Sequence, residues 1–430
     1  GGRTCGDDDV FMPTEYDSDA PLSETGRLTK KFLEFAKVNY ALRGLKTPEI
    51  KIETPKLLPK LPEIKTWKAF NPVIGTWRKL GCFESFEKQK RYLGYGVYRA
   101  IVLSKAEKLI SLYFTKYGDR IKIFANGKYS GTFGRGAGAS KIPVEVALKK
   151  GSNELLFFTD NMGRFNYSLG VGEQKGIFGP VYMEAKSIKP VWAITKTGEF
   201  KFIADKIWDT EIYSAGGALK KALPGLPLAK RKFILAKATF TGKAGKKYFS
   251  EFVMKDSAHK SFFLNGVQIY YARNSHITGG IMEFDITKYI KEGANTLEIY
   301  HEKSSDYEFL KTCRLIECSE ELQGSLSFAE FETLAEGRAR VLKPFKIWKT
   351  SFVLDRPEFP VRLRMDGMGK GQIYLNGINI GRYWQPKPQR DYYLPEPWLK
   401  GKNELVLFEE EGKLPNDVKL VYDSKEAFIK

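Results

Sequence analysis

The sequence predicts a mainly β chain, with tandem β-sandwiches entered through one helix and a stiff connector. Three observations carry this. From about Trp67 onward, short alternating runs such as Arg120-Ile121-Lys122-Ile123-Phe124-Ala125 and Gln372-Ile373-Tyr374-Leu375 are bounded by Asn-Gly and Gly-Gly turns, the pattern of half-buried strands joined by hairpins. A unit then recurs three times: Asn126-Gly127 is followed by Gly151-Ser152-Asn153, Asn265-Gly266 by Gly293-Ala294-Asn295, and Asn376-Gly377 by Gly401-Lys402-Asn403. The paired asparagines stand 27, 30 and 27 residues apart, and such steady spacing around different residues marks three related sandwiches. Finally, Pro48, Pro55, Pro59 and Pro62 crowd one short stretch, where they exclude helix and central strand.

The elements follow in order. Residues 1–46 open with a Gly/Asp-rich loop and continue into a helix. Phe32, Phe35 and Ala36 repeat at helical spacing, Thr29 is the expected N-cap, and the helix is expected to reach about Leu45. One helix and a loop build no core, so this zone must pack on something else. Residues 47–66 read as a proline-stiffened linker. The sandwiches are assigned to 67–190, 191–340 and 341–430. Asn-Gly is the favoured type I′ hairpin pair, because both central residues need positive φ. These repeats therefore specify fold and carry no catalytic weight.

Composition narrows the function classes. With 42% apolar and 28% charged residues over 430, the chain builds sizeable cores and is not a disordered polymer. No apolar run nears the ~18 residues of a membrane-spanning helix, so no membrane partner is expected. The net charge of +19 raises a nucleic-acid partner, but the lysines are spread along the chain beside acidic or apolar residues. They read as a basic solvated surface, and no nucleic acid is expected. The Lys/Glu-rich, Gln-poor composition leans toward a heat-adapted source. The histidines (His259, His276, His301) and cysteines (Cys5, Cys82, Cys313, Cys318) show no metal-ligand spacing, so neither metal nor cofactor is expected. Cys313 and Cys318 are left as a local disulfide or two thiols. Gly1 opens the sequence without a basic-then-apolar leader, so the expectation is a processed chain or the later part of something longer, soluble and cytoplasmic.

Several stretches carry a resemblance. Ile347-Trp348-Lys349-Thr350-Ser351-Phe352, the run Met368 to Trp384 and Pro388-Gln389-Arg390-Asp391-Tyr392-Tyr393-Leu394-Pro395 resemble the C-terminal jelly-roll (galactose-binding-like) domain of family 35 β-galactosidases. Asp160-Asn161-Met162-Gly163-Arg164-Phe165-Asn166-Tyr167, with Lys175-Gly176-Ile177, looks like that family's earlier β-domain. Thr14-Glu15-Tyr16-Asp17-Ser18-Asp19-Ala20-Pro21-Leu22-Ser23-Glu24 is similar to the segment closing its catalytic barrel. The resemblance implies a retaining exo-β-glycosidase acting on an oligosaccharide. Its two catalytic glutamates lie on a (β/α)₈ barrel, about 5–5.5 Å apart. Residues 1–46 then correspond to the barrel's last loop and helix. The rest of the barrel is expected as a separate chain or as the preceding part of this one, and homo-oligomers are possible.

No catalytic residue is therefore expected within these 430. Tyr16 is implied as a contact to the bound sugar ring, its phenol offering a hydrogen bond and an apolar edge. Two departures touch specificity: Ser18 stands where the family usually has a second Tyr, and Gly-Gly-Arg-Thr-Cys-Gly precedes an acidic run. Asp7 and Asp8, with Asp9, would suit a cationic sugar, which leaves β-galactose and β-glucosamine both open. Tyr383 and Trp384 invite a stacking role but read as packed aromatics, and Arg382 is expected to pair with an acid of the neighbouring unit. The rival reading is a stand-alone carbohydrate-binding or structural jelly-roll protein.

Overall fold

The computed structural model describes residues 20–26, 28–49, 58–164, 172–197, 233–253, 260–272, 281–302, 308–336, 343–357, 359–386 and 389–423. The described residues are almost entirely β, and the strands form three two-sheet sandwiches. The large sheet of the first runs Pro72–Ile74, Ser325–Glu336, Tyr95–Ser104, Gly151–Asp160, Arg120–Ala125, Lys128–Gly134, faced by Val181–Tyr182, Lys108–Phe114 and Val144–Leu148. In the second, Ala193–Thr197, Phe233–Gly242, Gly293–Glu302, Lys260–Leu264 and Val267–Ala272 face Ala185–Ile188, Arg314–Cys318, Lys247–Val253 and Ile281–Asp285. The third sets Lys68–Phe70, Lys346–Val353, Lys402–Glu409, Lys370–Leu375 and Ile378–Trp384 against Asp391–Leu394, Val361–Met365 and Val418–Tyr422.

The threefold repeat has one construction. Asn126, Asn265 and Asn376 take φ of 50°, 53° and 52°, and the glycine after each lies at 82°, 81° and 84°, as a type I′ turn demands. The second asparagine of each unit then locks the turn. Nδ2 of Asn126, Asn265 and Asn376 donates to Oδ1 of Asn153, Asn295 and Asn403 at 2.9, 2.8 and 2.9 Å. Each turn asparagine also accepts, through Oδ1, the backbone N–H after its partner. The constant spacing in sequence is thus the reach of one side-chain hydrogen bond.

Strand pairing crosses the sequence-level boundaries. Ser325–Glu336, in the stretch assigned to the second unit, pairs with Tyr95–Ser104 in the first. Lys68–Phe70, at the start of the first, pairs with Lys346–Val353 of the third. The proline-rich stretch also departs from a free spacer. Leu61, Ile64 and Trp67 pack on the third core, and Tyr422 Oη donates to Pro59 O at 2.8 Å. An apolar residue every three positions straps residues 61–67 to that sandwich.

The helix spans Lys30–Leu42, with Thr29 Oγ1 accepting from Phe32 N. It ends three residues before the expected Leu45, because Gly44 adopts φ +67° and its N–H turns back to Ala41 O, a left-handed stop. No residue of this helix is buried. No helix among the described residues is long and apolar enough to cross a membrane. Cys313 and Cys318 are separate buried thiols. The extended strand Arg314–Cys318 lies between them, and at roughly 3.3 Å per residue it holds them beyond the ~7 Å limit of a bridge.

Besides a core inside each sandwich, a fourth cluster joins the first and third. Tyr95, Val97, Phe124, Leu156, Phe158 and Phe331 meet Phe345, Ile347, Tyr374, Val406 and Phe408. Alternate residues of one strand therefore serve two cores. Leu155 and Phe157 point into the first sandwich, while Leu156 and Phe158 point at the third. Likewise Leu405 and Leu407 point into the third, while Val406 and Phe408 point back.

Candidate functional site

Tyr16, Asp7 and Asp8 lie outside the described residues, so the functional geometry is read from what adjoins them in sequence and from the junction between sandwiches. That junction holds a buried ionic seam. Lys370 Nζ is bound by the carboxylates of Asp160 and Glu410. Arg382 Nη1 donates to Asp160 Oδ1 at 3.1 Å and its Nη2 to Asn161 Oδ1 at 3.0 Å. Lys122 Nζ lies 2.9 Å from Glu410 Oε2, and Tyr95 Oη donates to Glu410 Oε1 at 3.0 Å. Asp160 and Asn161 belong to the first sandwich and Lys370, Arg382 and Glu410 to the third, so the expected pairing of Arg382 across units is present.

Burial works to raise the Asp160 carboxyl, but the Lys370 and Arg382 charges outweigh it and hold the group far below the usual range. Glu410 follows the same balance, lowered by Lys122 and Lys370 against burial. Glu409 differs. It receives the backbone N–H groups of Gly369, Lys370, Glu411 and Lys413, yet burial prevails and raises it. Beside the seam, Asp119 is fully buried between Arg135 Nη1 at 2.7 Å and Lys175 Nζ at 2.6 Å, and burial raises its pKa. The seam groups Asp160, Lys370, Arg382, Lys122 and Glu410 are engaged with one another across the first and third sandwiches, which suits them to fixing the two rather than to proton transfer.

Tyr383 and Trp384 are 2% and 3% exposed. Tyr383 Oη donates to Phe408 O at 2.8 Å, and the Trp384 ring has Arg120 over it, 5.1 Å from guanidinium to centroid. A ring so covered offers no free face to a sugar. An open cleft of about 460 Å³ nevertheless borders them, lined also by Asp366, Gln385, Gln389, Arg390 and Lys413. The size falls within the ~300–1,000 Å³ of small-molecule sites. Gln389 Oε1 is buried beside it without a hydrogen-bond partner among the described residues. Among those residues no His/Cys/Asp/Glu group is arranged to hold a metal.

The segment after Tyr16 is anchored on the third sandwich. Thr25 Oγ1 donates to Asp423 Oδ2 at 2.8 Å. Both Nη atoms of Arg362 donate to Glu24 Oε2 at 3.3 Å, while its Nε donates to Asp423 Oδ1 at 2.7 Å. Sequence reading missed both this contact and the cleft. The strand Val361–Met365 carries two arginines, Arg362 and Arg364, and nothing in the sequence tells that only Arg362 is buried.

The sandwiches, their keyed junction and two domain matches define the class. Residues 84–197 match the first all-beta domain of β-galactosidase, and residues 346–403 match its galactose-binding domain. The chain thus contains two domains of the β-galactosidase type. Among individual relatives, a β-galactosidase of Mus musculus is 26% identical over 213 residues, covering 48% of this chain and 32% of that protein. A β-galactosidase-1-like protein 2 of Homo sapiens is 49% identical over 49 residues, 11% of this chain and 8% of that one. The chain thus spans a third or less of the length of these relatives. A β-D-mannosidase structure from Dictyoglomus thermophilum aligns with 58% of this chain and 35% of that one at 10% identity, with a TM-score of 0.22, too low to carry an argument.

Proposed function

We propose that the chain is the C-terminal part of a retaining exo-β-glycosidase of the family 35 kind, removing terminal β-galactosyl or β-glucosaminyl residues from oligosaccharides. The catalytic glutamates belong to a barrel outside these 430 residues, supplied by another chain or by preceding sequence. The observation that supports this most is the presence of both β-galactosidase domains in one chain, in order, after a Tyr16 segment of the barrel-closing type. In the assembled site Tyr16 contacts the sugar ring, and Asp7 and Asp8 bias the site toward a cationic sugar.

The test is an assay of the purified chain, alone and joined to its barrel, on 4-nitrophenyl β-galactoside and chitosan dimer side by side. The reading expects no turnover by the chain alone and turnover by the assembly, because general acid and nucleophile supply most of the rate. Robust hydrolysis by the isolated chain overturns it. If galactoside is preferred and Asp7, Asp8 and Asp9 can all become Asn without effect, the acidic run is a solvated turn.

One observation favours the second reading, a stand-alone carbohydrate-binding protein: the polar cleft with Gln389 Oε1 beside it, which has no hydrogen-bond partner among the described residues. That reading requires the isolated chain to bind a galactose-terminated oligosaccharide in calorimetry, and Gln389→Ala or Arg390→Ala to abolish the heat.

A further inference from the structure

Asparagine before glycine is a reactive dipeptide, because a glycine without Cβ leaves its amide nitrogen open to the neighbouring side-chain amide. Each sandwich places that dipeptide at its hairpin turn, as Asn126-Gly127, Asn265-Gly266 and Asn376-Gly377. Reaction requires the asparagine side chain to leave its hydrogen bonds and swing Cγ onto the glycine nitrogen. The bonds that hold each side chain therefore set how readily each turn reacts.

The three turns are not held equally. Each asparagine accepts through Oδ1 and gives one Nδ2 hydrogen to its partner asparagine. Asn265 gives the second Nδ2 hydrogen to Tyr289 O at 2.9 Å, and Asn376 gives it to Trp398 O at 2.7 Å. Those carbonyls end the 3₁₀ turns Thr287–Tyr289 and Glu396–Trp398. In the first sandwich the strand Val144–Leu148 takes the place of such a turn. Asn126 Nδ2 accordingly has no second acceptor among the described residues. Asn126 is also exposed, whereas Asn265 and Asn376 are half-buried.

We propose that Asn126 is a site of spontaneous modification, the first of the three turns to deamidate in the folded chain, and that the change breaks the turn's lock. The Gly127 amide nitrogen loses its proton and bonds to Asn126 Cγ. The Cγ–Nδ2 bond breaks, and Nδ2 leaves with that proton as ammonia. The cyclic imide then takes up one water from solvent at either carbonyl, giving aspartate or isoaspartate at position 126. A carboxylate has no hydrogen to give Asn153 Oδ1. Asn153 cannot reverse its amide to meet it, because Nδ2 is held by Lys149 O at 2.8 Å and Gly151 O at 3.0 Å, and Oδ1 by Lys149 N at 2.9 Å. That side chain is also fully buried, so acceptor faces acceptor and the lock opens. Asn153 lies on the strand Gly151–Asp160, which carries Leu156 and Phe158 into the core shared with the third sandwich. The damage therefore reaches beyond the turn. None of this depends on the glycosidase reading.

The test incubates the full chain in mildly alkaline buffer, once folded and once unfolded in urea, and follows the three dipeptides by peptide mass mapping. In the folded chain Asn126 should react about threefold to tenfold faster than Asn265 and Asn376, the rate factor of one neutral hydrogen bond. In urea the three should converge on one rate, because the dipeptide is the same. Equal rates in the folded chain overturn the proposal, as does a lead by Asn265 or Asn376. So does an Asn126 that stays intact while the unfolded chain reacts to completion. If Asn126 leads by the same factor in urea, the flanking sequence sets the order and the lock does not. The consequence is read on Asn126→Asp, which carries the product side chain from the start. Its urea midpoint should fall below that of the wild type, and an unchanged midpoint overturns the loss of the lock.

Discussion

Asn376 and Asn403 were visible as a spaced pair in the sequence, but their weights differ. Asn376 sits at positive φ and is partly exposed, bonding Asn403 and Trp398 O. Asn403 is fully buried and also bonds Leu354 O and both backbone groups of Lys400. Asn376→Ala is expected to cost about 1–2 kcal/mol, and Asn403→Ala about 3 kcal/mol or more, since buried groups left unmatched cost ~1–3 kcal/mol each. Urea denaturation of both variants checks the order, with no change in sugar preference expected from either.

The ionic seam gives the second prediction at this scale. Asp160→Asn removes the carboxylate shared by Lys370 and Arg382, and breaking such a buried pair costs about 3–5 kcal/mol. Asp160 has a depressed folded pKa. Its contribution is therefore present above the unfolded value near ~3.9 and lost as pH falls through the lower folded value. Glu409, raised by burial, contributes in the opposite sense, its share being lost as pH rises through its folded value. The deficit of Asp160→Asn should therefore persist from pH 7 to pH 5 and shrink only in stronger acid. Denaturant titrations at pH 7, 5 and 3 read this directly.

At the element scale, the helix Lys30–Leu42 is the outlier. Its apolar residues Phe35, Val38 and Leu42 are 49%, 56% and 81% exposed, which agrees with the sequence reading that this zone cannot build its own core. Phe35→Ser with Leu42→Ser should leave the isolated chain's stability within about 0.5 kcal/mol, as exposed substitutions do. Under the glycosidase reading the same change weakens association with the barrel. Calorimetric melting and co-sedimentation separate these effects.

Strand patterns also told more than periodicity suggested. The run Leu155-Leu156-Phe157-Phe158 and the run Leu405-Val406-Leu407-Phe408 are apolar without interruption, and both strands prove buried on two faces. The equivalent strand of the second sandwich, Asn295-Thr296-Leu297-Glu298-Ile299, alternates, with Leu297 and Ile299 in the core and Glu298 paired with Lys237. Continuous apolar character thus marks the two strands that face each other across the first and third sandwiches.

For the whole molecule, the first and third sandwiches share one apolar interface sealed at its rim by the seam. Phe408 touches Tyr95, Phe158, Phe331 and Phe345, with ring centroids 5.1, 6.5, 5.4 and 5.8 Å away. Phe408→Ala should cost about 3–5 kcal/mol and shift the unfolding of both sandwiches together. Calorimetry showing only one shifted transition would contradict the shared core. By itself the sequence determined the β class, the three turns and the helix cap, because each depends on neighbours in the chain: positive φ at Asn-Gly, a threonine before an apolar period. It also carried the family resemblance. Only the tertiary structure decided that Asp160 meets Lys370, that Glu24 meets Arg362, and that strand Ser325–Glu336 completes the first sandwich. Those pairings join residues hundreds of positions apart, and no local periodicity or turn preference encodes which buried charge will face which.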